Sequence, residues 1–299
     1  MKTLVVITGP TGIGKTDLAL MLAEQYHTPI VNADSRQIYR DMPIGTAAPK
    51  PEQLSRVKHY FVGTLGLDAS YHAARFETEA LAVLDQVFAE RDIAILSGGS
   101  MLYIDAVCRG IDAMPDIRPE VRHQMKQRLE REGLEALAAE LALLDPVYHA
   151  ECDLCNPVRV VHALEICHQT GKPFSSFRTS RAKERPFRIL KIGLRRERAE
   201  LFSRIAARVG EMQAEGLVDE ARRLLPYRHF KALNTVGYKE LFAHFDGLWS
   251  LEQALEKISR NTRVYAKKQM TWLQKDTSVN WFHPEDSDGI TKFLLENGV

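Results

Sequence analysis

The fold class follows from one stretch near the start of the chain, Leu4-Val5-Val6-Ile7-Thr8-Gly9-Pro10-Thr11-Gly12-Ile13-Gly14-Lys15-Thr16. Its first five residues form a largely apolar run of the kind that makes a strand buried on both faces. The next eight follow the pattern Gly-x-x-x-x-Gly-Lys-Thr. Apolar residues then recur at helical spacing from Asp17 to Tyr26. The order of strand, glycine loop and helix predicts a phosphate-binding loop at the carboxyl end of a strand.

Each part of this loop has a chemical purpose. Glycines let backbone N–H groups turn toward phosphate oxygens, and the following helix points its positive end at them. Lys15 supplies a mobile positive charge, and the Thr16 hydroxyl is placed to bind Mg²⁺. An ordinary glycine turn is the alternative, and the position between strand and helix disfavours it. The predicted phosphate-binding residues are Gly9, Pro10, Thr11, Gly12, Ile13, Gly14, Lys15 and Thr16.

Strands and helices alternate through the first third of the chain. Short strands are predicted at 29–33 and 93–96, and a helix at 73–90. The residues from 120 to 170 are almost wholly helical in pattern, and another strand follows at 189–194. We therefore predict an α/β fold, a P-loop NTPase-like parallel sheet flanked by helices, with an all-helical insertion domain. The α/β core comprises residues 1–113 and 188–299, and the insertion comprises residues 114–187.

Composition excludes several classes of protein. Hydrophobic residues make up 45% and charged residues 26% of the 299 residues, the proportions of a globular domain. No apolar run approaches the ~20 residues that span a bilayer, and the N-terminus lacks the pattern of a signal peptide. Four cysteines are too few and too irregularly spaced for a disulfide scaffold. These features predict a cytoplasmic protein without a membrane partner.

Charge is unevenly distributed in a chain whose net charge is only +1. Residues 172–208 contain 12 Lys and Arg against 3 Asp and Glu, and residues 256–275 contain 6 basic residues and one acidic one. Two such stretches indicate local contact with an anionic partner. Solvated helix faces are the alternative explanation.

A nucleotide hydrolase of this class needs a second motif, an apolar strand that ends in an acidic residue holding Mg²⁺. The strand at 93–96 runs into Ser97-Gly98-Gly99 and has no carboxylate. The acidic residue instead follows the second strand, at Asp34. A helix N-cap is one possible role for it. Opposite a phosphate loop, it also suits a reaction in which diphosphate leaves and a nucleophile loses a proton.

Together these blocks resemble the tRNA dimethylallyltransferase (tRNA isopentenyltransferase) family in its bacterial form. The similar segments run in the family's order over nearly the whole chain: Gly9–Thr16, Asp34–Arg40, Ile44–Ala47, Gly98–Ile104, Asn156–Arg159, Ala163–Glu165, Thr170–Pro173, Gly216–Glu220, Thr235–Tyr238 and Thr262–Trp272. Three positions depart from the pattern. Ser100 replaces a usual Thr, Met101 a usual Gly, and His162 a usual Arg.

The resemblance implies a reaction and a set of residues. The reaction is transfer of a dimethylallyl group from dimethylallyl diphosphate to N6 of the adenosine immediately 3′ of the anticodon in tRNA. The implied catalytic residues are Asp34, Thr16, Lys15 and Ser100, with Asp34 as proton acceptor and Mg²⁺ as cofactor. The implied partner is the anticodon stem-loop, and the protein is expected to be a monomer. A charge from Arg204 or Arg208 assists the diphosphate, and the sequence does not decide which.

The same resemblance marks a series of tRNA contacts. They are Asp34, Ser35, Arg36, Gln37, Ser100, Arg122, Val158, Arg159, Val160, Val161, His162, Asn234, Thr235, Val236, Gly237, Tyr238 and Lys239. Three other activities stay open at this point: prenyl transfer to free AMP or ADP, a small-molecule kinase, and an RNA-binding NTPase switch. ATP binding is implied by the loop pattern alone.

Overall fold

The computed structural model describes residues 1–179 and 181–299. Six parallel strands form one sheet in the order β3-β2-β4-β1-β5-β6. The strands are β1 (Thr3–Thr8), β2 (Ile30–Asn32), β3 (His59–Tyr60), β4 (Ile93–Gly98), β5 (Arg188–Leu194) and β6 (Val279–Phe282). The predicted α/β class with a parallel sheet is confirmed. Strands β3 and β6 were not predicted.

Helices connect and cover the strands. Their bounds are α1 (Lys15–Gln25), α2 (Pro51–Arg56), α3 (Ala73–Glu90), α4 (Met101–Arg109), α5 (Pro119–Leu144), α6 (Pro146–Glu151), α7 (Pro157–Thr170), α8 (Arg198–Ala214), α9 (Leu217–Leu224), α10 (Tyr238–Phe245), α11 (Leu251–Leu273) and α12 (Ser287–Glu296). The prediction of a helix at 73–90 is confirmed by α3. In the described part of the chain, no helix is both long and apolar enough to cross a membrane.

Strand β1 lies at the centre of the core, between β4 and β5, and all six of its residues are buried. Side chains alternate between the faces of a strand. Leu4 and Val6 therefore pack with α3, α4, α9 and α10 on one face. Val5 and Ile7 pack with α1, α8 and α12 on the other face. The apolar run thus makes two cores, as expected for a strand covered on both sides.

The chain divides into two compact units, one of residues 1–108 and 184–299 and the other of residues 109–183. The sequence predicts this second unit at residues 114–187. In its described residues the second unit contains α5, α6 and α7, and its core includes Leu137, Leu141 and Leu164. Asp145 is fully buried there, and its carboxylate accepts hydrogen bonds from the N–H groups of Tyr148 and Ser175.

The order of the strands determines where the polar segments lie. In a parallel sheet all carboxyl ends meet at one edge, where ligands usually bind. Strands β2, β4 and β1 are neighbours, so three segments meet there: the loop after β1, Asp34 after β2 and Ser100 after β4.

Candidate active site

The loop after β1 is shaped to hold an anion. Gly12 and Gly14 have φ of +80° and +110°, a region that side-chain-bearing residues rarely adopt. Within the described residues, the N–H groups of residues 12–16 donate to no protein acceptor. Helix α1 begins at Lys15, so its positive end adds to these donors. Five unpaired N–H groups around one loop are suited to phosphate oxygens.

Lys15 lies inside this loop. Its ammonium donates to the carbonyl oxygens of Gly9, at 3.0 Å, and Pro10, at 2.9 Å. Burial lowers the pKa of Lys15 to about 8, the nearby Asp34 carboxylate opposes the shift, and the Arg208 guanidinium adds to it. An anion bound beside Lys15 would stabilise its charged form and raise its pKa again.

Asp34 uses only one of its two carboxylate oxygens in the fold. Oδ1 accepts hydrogen bonds from the backbone N–H groups of Arg36, at 2.8 Å, and Gln37, at 3.2 Å. Oδ2 has no hydrogen-bond partner among the described residues. The capping role considered for this residue is therefore real for Oδ1, at a turn rather than a helix, and it fixes the carboxylate while Oδ2 is left to accept a proton.

Ser100 is buried and its hydroxyl is already engaged. The Ser100 hydroxyl accepts a hydrogen bond from the Ser35 N–H, at 2.8 Å, and donates to the Ser35 hydroxyl, at 3.1 Å. The Ser100 N–H also donates to the carbonyl oxygen of Ala33. These contacts tie the loop after β4 to the turn that bears Asp34. The expected roles of Ser100 in catalysis and in tRNA contact stay predictions.

Arg204 and Arg208, the two candidates for assisting the diphosphate, differ in their surroundings. Arg208 is half-buried, and its guanidinium lies 3.4 Å from the Thr11 hydroxyl. Burial lowers the pKa of Arg208, and the charge of Asp34 opposes that shift. Arg204 is exposed and donates to the carbonyl oxygen of Gly12. Arg208 is thus the arginine whose charge interacts with both Lys15 and Asp34.

Two residues of α11 belong to this site and were not assigned a role from sequence. The surrounding protein and the Asp34 charge raise the pKa of Tyr265 to about 12. Gln269, only 1% exposed, accepts a hydrogen bond from the Thr11 N–H and donates one to the Gly99 carbonyl oxygen. Both lie in Thr262–Trp272, one of the segments that resemble the family, so the sequence indicated this region without a role for either residue. The available signal was its spacing, because Gln269 lies three residues after Ala266 and four before Leu273, on the apolar face of the helix.

Two of the residues expected to contact tRNA near Asp34 already make hydrogen bonds within the protein. The Gln37 amide nitrogen donates to the carbonyl oxygens of Thr46 and Ala47, and Arg36 donates to that of Lys231. Both side chains are half-buried.

The segment 234–239 combines exposed and buried side chains. Asn234 and Lys239 are exposed, Thr235 and Val236 are half-buried, and Gly237 is buried. Tyr238 is fully buried, and its hydroxyl donates to Glu220 at 2.6 Å. Glu220 also accepts hydrogen bonds from the N–H groups of Ile44 and Gly45. The Tyr238 side chain thus supports neighbouring backbone in this structure, and the expected contact of residue 238 with tRNA stays a prediction.

In the second unit the predicted contacts begin near the start of α7. Val158 is 76% exposed and Arg159 is exposed, while Val160 is completely buried in the core of the unit. Val161 and His162 are half-buried, and Arg122 on α5 is exposed. Of this group, Val160 has no exposed side-chain surface, because it lies on the face of α7 that packs into the core of the unit.

The carboxyl end of β4 carries no acidic residue, since the strand reads Ile93-Ala94-Ile95-Leu96-Ser97-Gly98. The arrangement therefore combines loop N–H groups and one carboxylate oxygen that are unpaired within the described residues with two cationic side chains, Lys15 and Arg208. It can bind a diphosphate and remove a proton beside it. It lacks the carboxylate with which P-loop kinases and ATPases hold the nucleotide-bound metal.

Known proteins similar to this chain belong to one family. The model of the IPP transferase family matches residues 37–276. A protein of Bacteroides thetaiotaomicron named tRNA dimethylallyltransferase 1 is 58% identical over 298 residues, which cover 99% of this chain and 97% of that protein. One of Parabacteroides distasonis named tRNA dimethylallyltransferase 2 is 54% identical over 296 residues, covering 99% of each chain.

Solved structures are similar over the same length. The full-length tRNA isopentenylpyrophosphate transferase of Bacillus halodurans has a TM-score of 0.71 and 34% identity, and the match covers 100% of this chain and 95% of that one. A eukaryotic dimethylallyltransferase acting on tRNA has a TM-score of 0.83 over 96% of this chain and 75% of its own, at 24% identity. The second match supports the fold alone.

Proposed function

Because this chain belongs to the IPP transferase family, we propose that it transfers a dimethylallyl group from dimethylallyl diphosphate to N6 of the adenosine 3′ of the anticodon in tRNA. The observation that carries the proposal is a phosphate loop that lies near Asp34, whose Oδ2 has no hydrogen-bond partner among the described residues. The strand β4 at the same sheet edge ends without a metal-holding carboxylate. The relatives described above are named tRNA dimethylallyltransferases.

In the reaction, the bond between carbon and the diphosphate oxygen breaks, and the diphosphate leaves with the electron pair. A bond forms between that carbon and N6 of adenine, which loses a proton. Asp34 Oδ2 accepts this proton, while Oδ1 stays bound to the turn and keeps the carboxylate in place. The adenine amino group is a poor nucleophile, since its lone pair is delocalised into the ring, so removal of the proton matters to the rate.

The departing diphosphate carries growing negative charge. The N–H groups of residues 12–16, the Lys15 ammonium and the Arg208 guanidinium surround the place where this charge develops. Donors that are already fixed in position stabilise a transition state without reorganising. Arg208, rather than the exposed Arg204, is the arginine that we assign to this role.

Mg²⁺ fits the donor set. The Thr16 hydroxyl, at the start of α1, is half-buried and makes no hydrogen bond within the described residues. Those residues contain no cluster of three His, Cys, Asp or Glu side chains that could hold a metal by themselves. Mg²⁺ usually takes one or two protein ligands, substrate phosphates and water. When bound, it would neutralise charge on the diphosphate oxygens.

The acceptor adenosine must leave its stack to reach a crevice at the end of a sheet. Exposed residues Asn234, Lys239, Arg122, Val158 and Arg159 are proposed to contact the RNA. Basic contacts of this kind set the register of the RNA more than they select its sequence. A cytoplasmic location and a monomeric state remain predictions.

The test is incubation of the protein with Mg²⁺, radiolabelled dimethylallyl diphosphate and an unmodified tRNA bearing adenosine 3′ of its anticodon. Label is expected in tRNA and not in AMP. Asp34→Asn is expected to lower kcat by about 10²–10⁴-fold, the usual value of general base catalysis. Asp41→Asn changes an exposed aspartate nearby and serves as the matched control.

Transfer to AMP in place of tRNA, or ATP turnover stimulated by RNA without any use of dimethylallyl diphosphate, would contradict the proposal. A normal rate for Asp34→Asn would leave the reaction in place and refute the role of Asp34.

A further inference from the structure

Three aromatic side chains come together at the surface in residues 226–231, which lie between α9 and α10 and are called the aromatic segment below. Tyr227 is 49% exposed and His229 is exposed, while Phe230 is half-buried. The Tyr227 and Phe230 rings are stacked, with 13° between their planes and 6.4 Å between their centroids, and the His229 ring lies 4.3 Å from that of Phe230. Single exposed aromatic side chains are common, whereas a cluster of them indicates an interaction surface.

The backbone of the aromatic segment is held in place. Two short 3-10 helices, Leu225–Tyr227 and Lys231–Leu233, form its two ends. Between them, the Arg228 guanidinium donates to both carboxylate oxygens of Asp246, immediately after α10, at 2.7 and 2.9 Å. Rings that are already fixed lose little freedom when a flat group stacks on them, so little affinity is lost to ordering.

The aromatic segment contacts the turn that bears Asp34. The Arg36 guanidinium donates to the Lys231 carbonyl oxygen, at 3.3 Å, and the Arg36 N–H donates to Asp34 Oδ1. One arginine therefore connects the segment with the proposed proton acceptor. The chain then continues directly into residues 234–239, which are expected to contact tRNA. The aromatic segment thus borders the crevice proposed for the target adenosine.

Charge near the rings favours an anionic partner. Arg223, Lys231 and Lys239 are exposed, and none of them forms an ion pair within the described chain. Arg228 differs, because Asp246 neutralises its charge. Exposed rings among unpaired cations are typical of surfaces that bind single-stranded RNA, since the phosphates meet the cations and the bases stack on the rings.

Building on the proposed function, we propose that the aromatic segment is a stacking platform for an unpaired base of the anticodon loop, next to the adenosine that is modified. When that adenosine leaves its stack to reach Asp34, a neighbouring base loses a stacking partner. Tyr227 and His229 offer this base an aromatic face, and Lys231 binds a phosphate beside it. Every base has a π-face, so the platform positions the loop without selecting its sequence.

The experiment measures dissociation constants by fluorescence anisotropy, with the whole protein and an unmodified anticodon stem-loop RNA. Tyr227→Ala is expected to weaken binding by at least about fivefold, the lower end of what one base stacked on an aromatic ring contributes. Tyr227→Phe keeps the ring and should rescue the affinity. Leu295→Ala removes a side chain of α12 that is 65% exposed, and this matched control should leave the dissociation constant unchanged.

A second set of RNAs identifies the stacked base. Each lacks one base of the loop, and together they cover every unpaired position except the target adenosine. One of them should bind wild type at least about fivefold more weakly and lose nothing further in Tyr227→Ala, because the losses of two groups in contact do not add. Lys231→Ala should reduce the slope of log affinity against log salt concentration by about 0.7, the value for one phosphate of a single strand.

Other roles for Tyr227 predict other results, and each would overturn the inference. A purely structural role predicts that every RNA and inorganic diphosphate bind more weakly to the same degree. Losses that add for every RNA would mean that no base stacks on this ring. A surface for anionic lipid predicts that vesicles of phosphatidylserine and phosphatidylcholine bind wild type but not Tyr227→Ala, with the RNA constants unchanged.

The proposed function is tested separately on the same preparations. If wild type transfers no dimethylallyl group to tRNA, the proposed function fails while the RNA dissociation constants still decide the role of Tyr227. If transfer proceeds and Tyr227→Ala binds every RNA as wild type does, only the inference fails.

Discussion

Raising the pH from 7 to 9 is expected to weaken diphosphate binding through a single side chain, Lys15. Its ammonium is held by the Gly9 and Pro10 carbonyl oxygens, and burial lowers its pKa to about 8 in the ligand-free protein. A bound diphosphate places several negative charges beside the ammonium and raises this pKa. The protonated form is therefore the one that binds, and proton release competes with binding.

The magnitude follows from the pKa. A group with a pKa of about 8 is about 90% protonated at pH 7 and about 10% protonated at pH 9. If the complex keeps its proton over this range, the dissociation constant rises by about tenfold between the two pH values. The sign is fixed, since affinity is present below the free-protein pKa and is lost above it.

The assay is competition of inorganic diphosphate with a fluorescent diphosphate analogue at several pH values. Diphosphate itself titrates, so the matched control is Lys15→Arg, whose side chain stays charged throughout. Ionisation of the ligand affects both proteins alike and cancels in the ratio of their dissociation constants. A ratio that is constant from pH 7 to pH 9 would refute the reasoning.

Three further predictions concern the surroundings of this lysine. Lys15→Met is expected to raise the free energy of unfolding of the ligand-free protein by about 1–3 kcal/mol at pH 7, measured in urea, because a buried charge is removed. This difference in stability should shrink between pH 8 and 10.5, where the wild-type folded state has released a proton that the unfolded state retains. Arg208→Gln should raise the KM for dimethylallyl diphosphate by about tenfold or more, while Arg204→Gln, an exposed neighbour, should change it less in the same steady-state assay. Tyr238→Phe should lower the free energy of unfolding by about 1–3 kcal/mol by removing a donor from a buried carboxylate, against no change for the exposed Tyr227→Phe.

The local parts of the fold could be predicted because they are written in neighbouring residues. The glycine-lysine-threonine pattern predicted the loop between β1 and α1. Asp145 and Asn156 are each followed by proline, a pattern typical of a helix start, and both side chains cap the helices that follow, α6 and α7. Turn and cap chemistry depends on a few adjacent groups, so one sequence is enough to recognise it.

The missed features depend on distant partners. Strand β3 has two residues and β6 has four, too few for a periodic pattern to stand out. Tyr238 lies in a segment with polar and exposed neighbours, yet it is buried against Glu220, 18 residues earlier. Gln269 gains its meaning only from a loop 258 residues away in sequence. Such contacts arise from topology, which local propensity does not encode.

The bond between Gln269 and Thr11 also bears on how the protein is made. The phosphate loop leaves the ribosome before the glutamine that binds it, because Gln269 follows Thr11 by 258 residues. Arg208 and strand β5 likewise emerge only after the helices of the second unit. Since domains are synthesised from the N-terminus onward, a nascent chain carries an unfinished loop for most of its synthesis. The hydrogen bond from the Thr11 N–H to Gln269 forms only when α11 has been translated and docked.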